Sequence, residues 1–340
     1  MPLKINIQGI IISRTDAIGD VMLTLPLCGI IKQKYPKVKI IFLGRTYTED
    51  IIKCCEFVDE FINADLLLKM DDTTATQELK KLNADVFLHI FPNKKLAVLA
   101  KKAGVPIRIG TTNRLFHWGK VNSFVRLSRK NSELHESQLN CKLLEPLGIH
   151  ALPSLKELSE FTGFTKIPST ESNSTALINP AKINVILHPK SNASAREWSL
   201  ENYKKLIELL PEEKYNVFIS GTDKEKILLL EWMRSLPAYV QDVTGKFSLN
   251  EFILFISKAD YLVAASTGPL HIAAAYGIGA IGIYPPIRPM HPGRWQPIGK
   301  NAQFVCVNRS CFDCKKSPQT CHCINDVLPL QVASLILNKS

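Results

Sequence analysis

No acidic residue occurs from Val86 to Ser132, and other absences narrow the function classes further. A GxxxxGK[ST] signature is missing, which excludes a P-loop, and no GxGxxG follows the first apolar run, which counts against a dehydrogenase. The longest early apolar stretch, Ile5 to Ser13, is too short to span a bilayer, and no cleavable leader pattern follows it. No internal repeat is visible. Aromatic residues make up 8% of the chain. Phe91, Phe116, Trp118 and Phe124, within the acid-free stretch, form no regular stacking array, so nucleic acid is not an expected partner.

What is present fits a globular protein of about two domains: 340 residues, 46% of them apolar. Nine cysteines, an odd number unevenly spread, suit a reducing compartment better than a secreted disulfide framework, so a cytosolic location is expected. The net charge is +11, and ten basic residues fall in the acid-free stretch: Lys94, Lys95, Lys101, Lys102, Arg108, Arg114, Lys120, Arg126, Arg129 and Lys130. Such a run attracts a phosphorylated substrate or an anionic membrane face, although scattered solubilising charge is the plainer alternative.

The apolar pattern alternates strand and helix. Lys4 to Ser13 predicts a buried β-branched strand, Arg14 to Asp20 a loop, Val21 to Lys34 a helix and Val38 to Leu43 a second strand. This order predicts a parallel, doubly wound sheet whose sites lie beyond the carboxyl ends of its strands. Periodicity fades from Pro153 to Lys182, where a linker is expected, and a second series starts at Asn184 to His188.

Three loops after strands share a chemistry of small, hydroxyl and charged residues. They are Thr15 to Asp20, Pro189 to Trp198, and Ser266 to His271. In the last, Ser266-Thr267-Gly268-Pro269-Leu270-His271 joins the run Tyr261 to Ala265 to a helix, so unpaired N–H groups and the positive helix end suit a phosphate. Lys190 and Arg196 in the second loop can neutralise a diphosphate, the arginine through its planar fork. Asp20 could equally cap the helix after it, and His271 could be a satisfied core histidine.

The patterns Arg14-x-Asp16-x-x-Gly19-Asp20-Val21, Leu25-Pro26, Arg196-Glu197-Trp198-Ser199 and Thr267-Gly268-Pro269-Leu270-His271-Ile272-Ala273-Ala274 together resemble glycosyltransferase family 9, the ADP-heptose:lipopolysaccharide heptosyltransferases. The resemblance implies an α/β GT-B fold of two facing Rossmann-like domains with a cleft between them. Residues 1–165 would form the acceptor-side domain, 166–182 a linker, 183–325 the nucleotide-sugar domain, and 326–340 a helix crossing back to the first. It implies inverting transfer from a nucleoside-diphosphate sugar, heptose by family default, with no metal required. The acceptor would be a lipopolysaccharide-core or related phosphorylated glycolipid on the inner face of the inner membrane. Asp20 becomes the general base. Lys190, Ser191, Arg196, Thr222, Glu225, Ser266, Thr267, Gly268, Pro269 and His271 become donor contacts, and Arg14, Lys94, Lys95, Arg114 and Lys120 acceptor contacts. Two departures stand out: Ser266 where many members have Asp, and Lys190 where Gly is usual, both expected to make the donor pocket more positive.

The C-terminal segment holds Cys306, Cys311, Cys314, Cys321 and Cys323 beside His322, with one CxxC and one CxC. Cys311, Cys314, Cys321 and Cys323 supply enough ligands for a tetrahedral zinc, although their spacing is tighter than in common zinc ribbons, and reduced or bridged thiols are the alternative. Asp326 to Leu337 predicts a terminal amphipathic helix. Two other classes stay open at this point: a non-catalytic nucleotide-sugar or polyanion binder, which would not need Asp20, and a zinc-dependent nucleic-acid module.

Overall fold

The computed structural model describes residues 7–129, 132–150, 152–170, 173–192, 195–308, 311–316 and 321–337. Lys4 to Asn6 of the expected first strand, Lys130 of the basic run and residues 193–194 of the second loop lie outside the described residues. The chain divides into two compact units, Met1–Lys166 and Ile167–Ser340.

The first unit is built on six parallel strands, β1 (Gly9–Ser13), β2 (Lys39–Gly44), β3 (Glu60–Asn63), β4 (Val86–His89), β5 (Ile107–Thr111) and β6 (Ser123–Val125), in the order β3-β2-β1-β4-β5-β6. Ile10, Ile11 and Ile12 are wholly buried, as a continuous β-branched run requires when both faces of a parallel sheet are covered. One face packs Ile11, Ile41, Leu43 and Phe87 against Leu96, Leu99 and Ala100. With β2 on one side of β1 and β4 on the other, the loops leaving β1 and β4 part at a topological switch point.

The helix predicted over Val21 to Lys34 is two helices, α1 (Ile18–Met22) and α2 (Pro26–Lys34). Pro26 has no N–H to continue the first, and its fixed φ suits the start of the second. Farther on, α3 (Glu136–Lys142) begins at a capping box formed by His135 and Gln138.

The second unit repeats the design with β7 (Ile183–His188), β8 (Tyr215–Ile219), β9 (Gln241–Asp242), β10 (Tyr261–Ala265), β11 (Gly279–Tyr284) and β12 (Ala302–Cys306), all parallel, in the order β12-β11-β10-β7-β8-β9. Its helices include α4 (Leu200–Glu208), α5 (Asp223–Met233), α6 (Gly268–Tyr276) and α7 (Pro329–Leu337). The switch point lies between β7 and β10, so the loops that feed α4 and α6 open side by side. Gly277 ends α6 in the left-handed conformation, at φ 78°, where a side chain would be strained.

Within the expected linker, Asn173–Leu177 is a 3-10 turn, and the Leu177 carbonyl accepts from Asn216 Nδ2 (3.0 Å). The C-terminal helix packs in the core of the second unit. Val332, Ala333 and Ile336 of α7 are buried in one core with Leu206 and Ile207 of α4, because the apolar face of α4 needs cover.

Candidate active site

Asp20 lies in α1, at the switch point of the first sheet, and its carboxylate does not cap the helix. It pairs instead with Arg14 Nη2, in the loop leaving β1. Arg14 is 3% exposed, and its other nitrogens are also committed: Nε to Asp16 (2.6 Å) and Nη1 to Glu136 (3.1 Å). Arg129 Nε also reaches Glu136 (3.0 Å), and Arg129 Nη2 donates to Asn140 Oδ1 (2.9 Å). Asn140 Nδ2 and Ser137 Oγ in turn donate to the Leu23 carbonyl, at 3.3 and 2.6 Å, so α3 is fastened to the chain just after α1.

The electrostatics follow from that inventory. Burial raises the Asp20 carboxyl to about 6; the Arg14 guanidinium opposes this, and the nearby Asp16 and Glu136 charges reinforce it. Asp16 is also raised, chiefly by burial. Arg14 is held more firmly charged than an ordinary arginine: burial opposes this, but three carboxylates prevail. Asp20 remains 20% exposed at its side chain, so a substrate hydroxyl can reach it. A partly exposed carboxylate that titrates near neutrality, held by a buried cation, suits proton abstraction.

Arg14, expected at the acceptor, is buried, and its nitrogens are taken up by Asp16, Asp20 and Glu136. Lys94 and Arg114 are exposed, and Lys120 is half-buried. Lys95 donates to the carbonyls of Leu68 (2.8 Å) and Met70 (2.9 Å), so it ties helix to loop. Glu136, Asp16 and Arg129 complete the Asp20 network and were not predicted as site residues. Glu136 and Arg14 stand 122 positions apart, and no local pattern signals their meeting.

In the second unit, Thr267 precedes α6 without capping it, and its Oγ1 is buried with no hydrogen-bond partner among the described residues. Gly268 and Pro269 form the first turn, and His271 is buried in the same helix. Ser266 hydrogen-bonds the Tyr284 hydroxyl, which donates to the Trp295 carbonyl (2.7 Å). Lys190 is ion-paired with Glu197, and the other oxygen of that carboxylate accepts from Ser191 N (2.9 Å). The Lys190 ammonium is thus matched by an acid of its own loop. Arg196 Nη1 donates to the Cys321 carbonyl (3.1 Å) and lies 3.4 Å from Cys314 Sγ. Thr222 and Glu225, considered for ribose, form the capping box of α5, Thr222 N donating to Glu225 Oε2 (2.7 Å). The Sγ atoms of Cys311, Cys314, Cys321 and Cys323 lie within 4.8 Å of one another, and no ion pair or hydrogen bond links Cys306 to them among the described residues.

Among known proteins, the family model for glycosyltransferase family 9 (heptosyltransferase) matches residues 73–325. A provisionally named glycosyltransferase of Haemophilus influenzae is 29% identical over 86% of this chain and 86% of its own length. The lipopolysaccharide core heptosyltransferase OpsX of the same organism is 21% identical over 82% of this chain and 79% of its own. Among solved structures, Escherichia coli ADP-heptose lps heptosyltransferase II superposes with a TM-score of 0.74 at 16% identity, over 98% of this chain and all of that one. Two parallel six-stranded units with the GT-B fold, and a family match over most of the length, place this chain in glycosyltransferase family 9, and it is a glycosyltransferase.

Proposed function

We propose that this enzyme transfers heptose from ADP-heptose to the core of a lipopolysaccharide, with inversion at the anomeric carbon and with no metal taking part in the transfer step. Donor and acceptor class are supported by the relatives, whose names carry lipopolysaccharide core and ADP-heptose. The observation that carries the chemistry is the Asp20 carboxylate, partly exposed, raised to about 6 and held by buried Arg14. The acceptor hydroxyl oxygen bonds to the anomeric carbon as its proton passes to Asp20. The carbon–oxygen bond to the diphosphate breaks, and its electron pair leaves on the phosphate oxygen.

On the donor side, the loops after β7 and β10 hold the diphosphate. The Thr267 hydroxyl and the amides at the start of α6 face the leaving charge, and Arg196 adds a fixed cation. On the acceptor side, Lys94, Arg114 and Lys120 meet anionic groups, and the enzyme works at the anionic face of a membrane.

The test is transfer from ADP-heptose to a heptose-deficient core acceptor, with the product anomer assigned by NMR. Asp20→Asn is expected to lower turnover by about 10²–10⁴-fold while the Kd for ADP stays within about threefold. Full residual turnover would remove Asp20 from the role of base, and failure of ADP-heptose as donor would overturn the substrate reading.

A further inference from the structure

The C-terminal sulfur cluster plays no part in the transfer step described above, yet it touches the donor loop. Cys314 Sγ lies 3.2 Å from Cys323 Sγ and 3.5 Å from Cys321 Sγ, and Cys311 Sγ lies 3.4 Å from Cys321 Sγ. Four sulfurs bound to a central ion at about 2.3 Å stand roughly 3.8 Å apart at the corners of a tetrahedron. The observed span, from 3.2 Å to the 4.8 Å limit, brackets that edge. A disulfide would need sulfurs about 2.05 Å apart and one exclusive partner. Here Cys314 and Cys321 each touch two other sulfurs, so no pairing is selected. Cys314 and Cys323 are also buried, where two uncoordinated thiols would supply little beyond weak S–H contacts.

The surroundings of the cluster belong to the turn that enters α4. Arg196 Nη1 donates to the Cys321 carbonyl and points at Cys314 Sγ. Just beyond Cys323, Asn325 Oδ1 accepts from Ser199 N (2.9 Å), the Asn325 carbonyl accepts from Asn202 Nδ2 (2.9 Å), and the Val327 carbonyl accepts from Trp198 Nε1 (3.0 Å). One short cysteine-bearing segment therefore holds three residues of the turn, Arg196, Trp198 and Ser199, and Asn202 in the first turn of α4.

We propose that Cys311, Cys314, Cys321 and Cys323 bind one divalent transition-metal ion as a tetrathiolate, and that the loaded centre fixes Arg196 and the turn into α4. Softness and geometry select zinc or iron. On binding, the four thiols lose their protons to solvent and four sulfur–metal bonds form, leaving a net charge of −2 on the centre. The Arg196 guanidinium offsets that charge through an N–H···S contact, the kind of outer interaction that orients a metal ligand and is itself oriented by it. The consequence for the donor rests on the reading of Arg196 as a diphosphate contact: loss of the metal loosens Arg196 and weakens ADP binding, with Asp20 untouched.

Metal content of the full chain, purified without chelator, is expected at one zinc or iron per chain, with the absorption spectrum separating ferrous thiolate from colourless zinc. Replacement by Co2+ should give the intense d–d bands of a tetrahedral thiolate site. Cys311→Ser and Cys314→Ser should each lose most of the metal, while Cys306→Ser, outside the cluster, keeps it. Circular dichroism identifies a variant that has unfolded, and chelation of the wild type provides the same comparison without a substitution. Metal removal should speed hydrogen exchange at the Ser199 amide and weaken ADP binding about tenfold. Wild-type protein without stoichiometric metal, or a Co2+ spectrum of octahedral type, overturns the site. Stoichiometric metal whose removal changes neither exchange nor ADP affinity overturns the coupling to the donor loop. A holoprotein that binds metal but no ADP refutes the donor reading alone, because metal content and exchange are read independently of it.

Discussion

Asp16, Asp20 and Glu136 place three carboxylates on Arg14, and Arg129 also pairs with Glu136. Asp20, 20% exposed at its side chain, is raised to about 6 chiefly by burial, with the Asp16 and Glu136 charges adding to the rise and Arg14 opposing it. Turnover should therefore rise with pH through about 6 as the base loses its proton, measured as kcat/KM against pH. Stability runs the other way. The unfolded carboxyl titrates near 3.8 and the folded one near 6, so the native state holds the extra proton in that window and loses stability as pH rises across it. Above pH 6 the deficit is about 3 kcal/mol at 1.36 kcal/mol per pK unit. Asp20→Asn is expected to unfold about 1–3 kcal/mol later than wild type at pH 8, a gain that disappears near pH 4 in urea titrations. Glu136→Gln removes a like charge that raises Asp20, so the acid limb of its pH profile should move to lower pH. An unmoved limb would mean that Glu136 only ties α3 to the loop.

At the scale of elements, the start of α6 joins a structural cost to a binding gain. A buried hydroxyl at Thr267, without a partner among the described residues, costs stability on the order of 1–3 kcal/mol. Thr267→Val should be neutral or stabilising in thermal unfolding and yet weaken ADP about tenfold; a loss of stability with unchanged affinity would assign Thr267 to packing. Most of what positions this helix was legible in the sequence. A short apolar run, Tyr261 to Ala265, followed by a Ser-Thr-Gly-Pro turn and a small-residue helix, carries its strand, its break and its start within sixteen residues. The network behind Asp20 was not legible, because Glu136 reaches Arg14 only after five strands have been laid between them in sequence. Likewise the Lys190–Glu197 ion pair could not be read from the sequence, and Thr222 and Glu225 read as ligands although their spacing is also that of a capping box. The edge strands β6 and β12, half-buried and short of continuous apolar residues, left too weak a pattern to be predicted.

At the scale of the whole molecule, the acid-free stretch falls wholly within the first unit. Between β5 and β6, Leu115 is 89% and Trp118 66% exposed, and Phe124 stands beside the tryptophan with ring centroids 6.0 Å apart. Arg114 and Arg126 are exposed in the same segment, and Lys101 donates to the Gly119 carbonyl (2.8 Å) at its base. Large apolar side chains left in water cost free energy unless something covers them, and aromatic rings flanked by cations match the interfacial zone of an anionic bilayer. No helix among the described residues is long and apolar enough to cross a membrane, so contact at the surface is the form that association would take. Each basic residue near such a surface contributes about 1 kcal/mol, so Arg114→Gln combined with Arg126→Gln should lower partitioning into phosphatidylglycerol vesicles roughly 30-fold. Trp118→Ala should lower it at high salt as well, because burial of the ring is not screened, whereas the arginine contribution fades as the Debye length shortens. Equal binding to neutral and anionic vesicles would sink the electrostatic half of this reading. Wild-type partitioning in the Trp118→Ala and Leu115→Ala variants would sink the insertion half, leaving a basic surface that meets the phosphates of its acceptor without the membrane beneath.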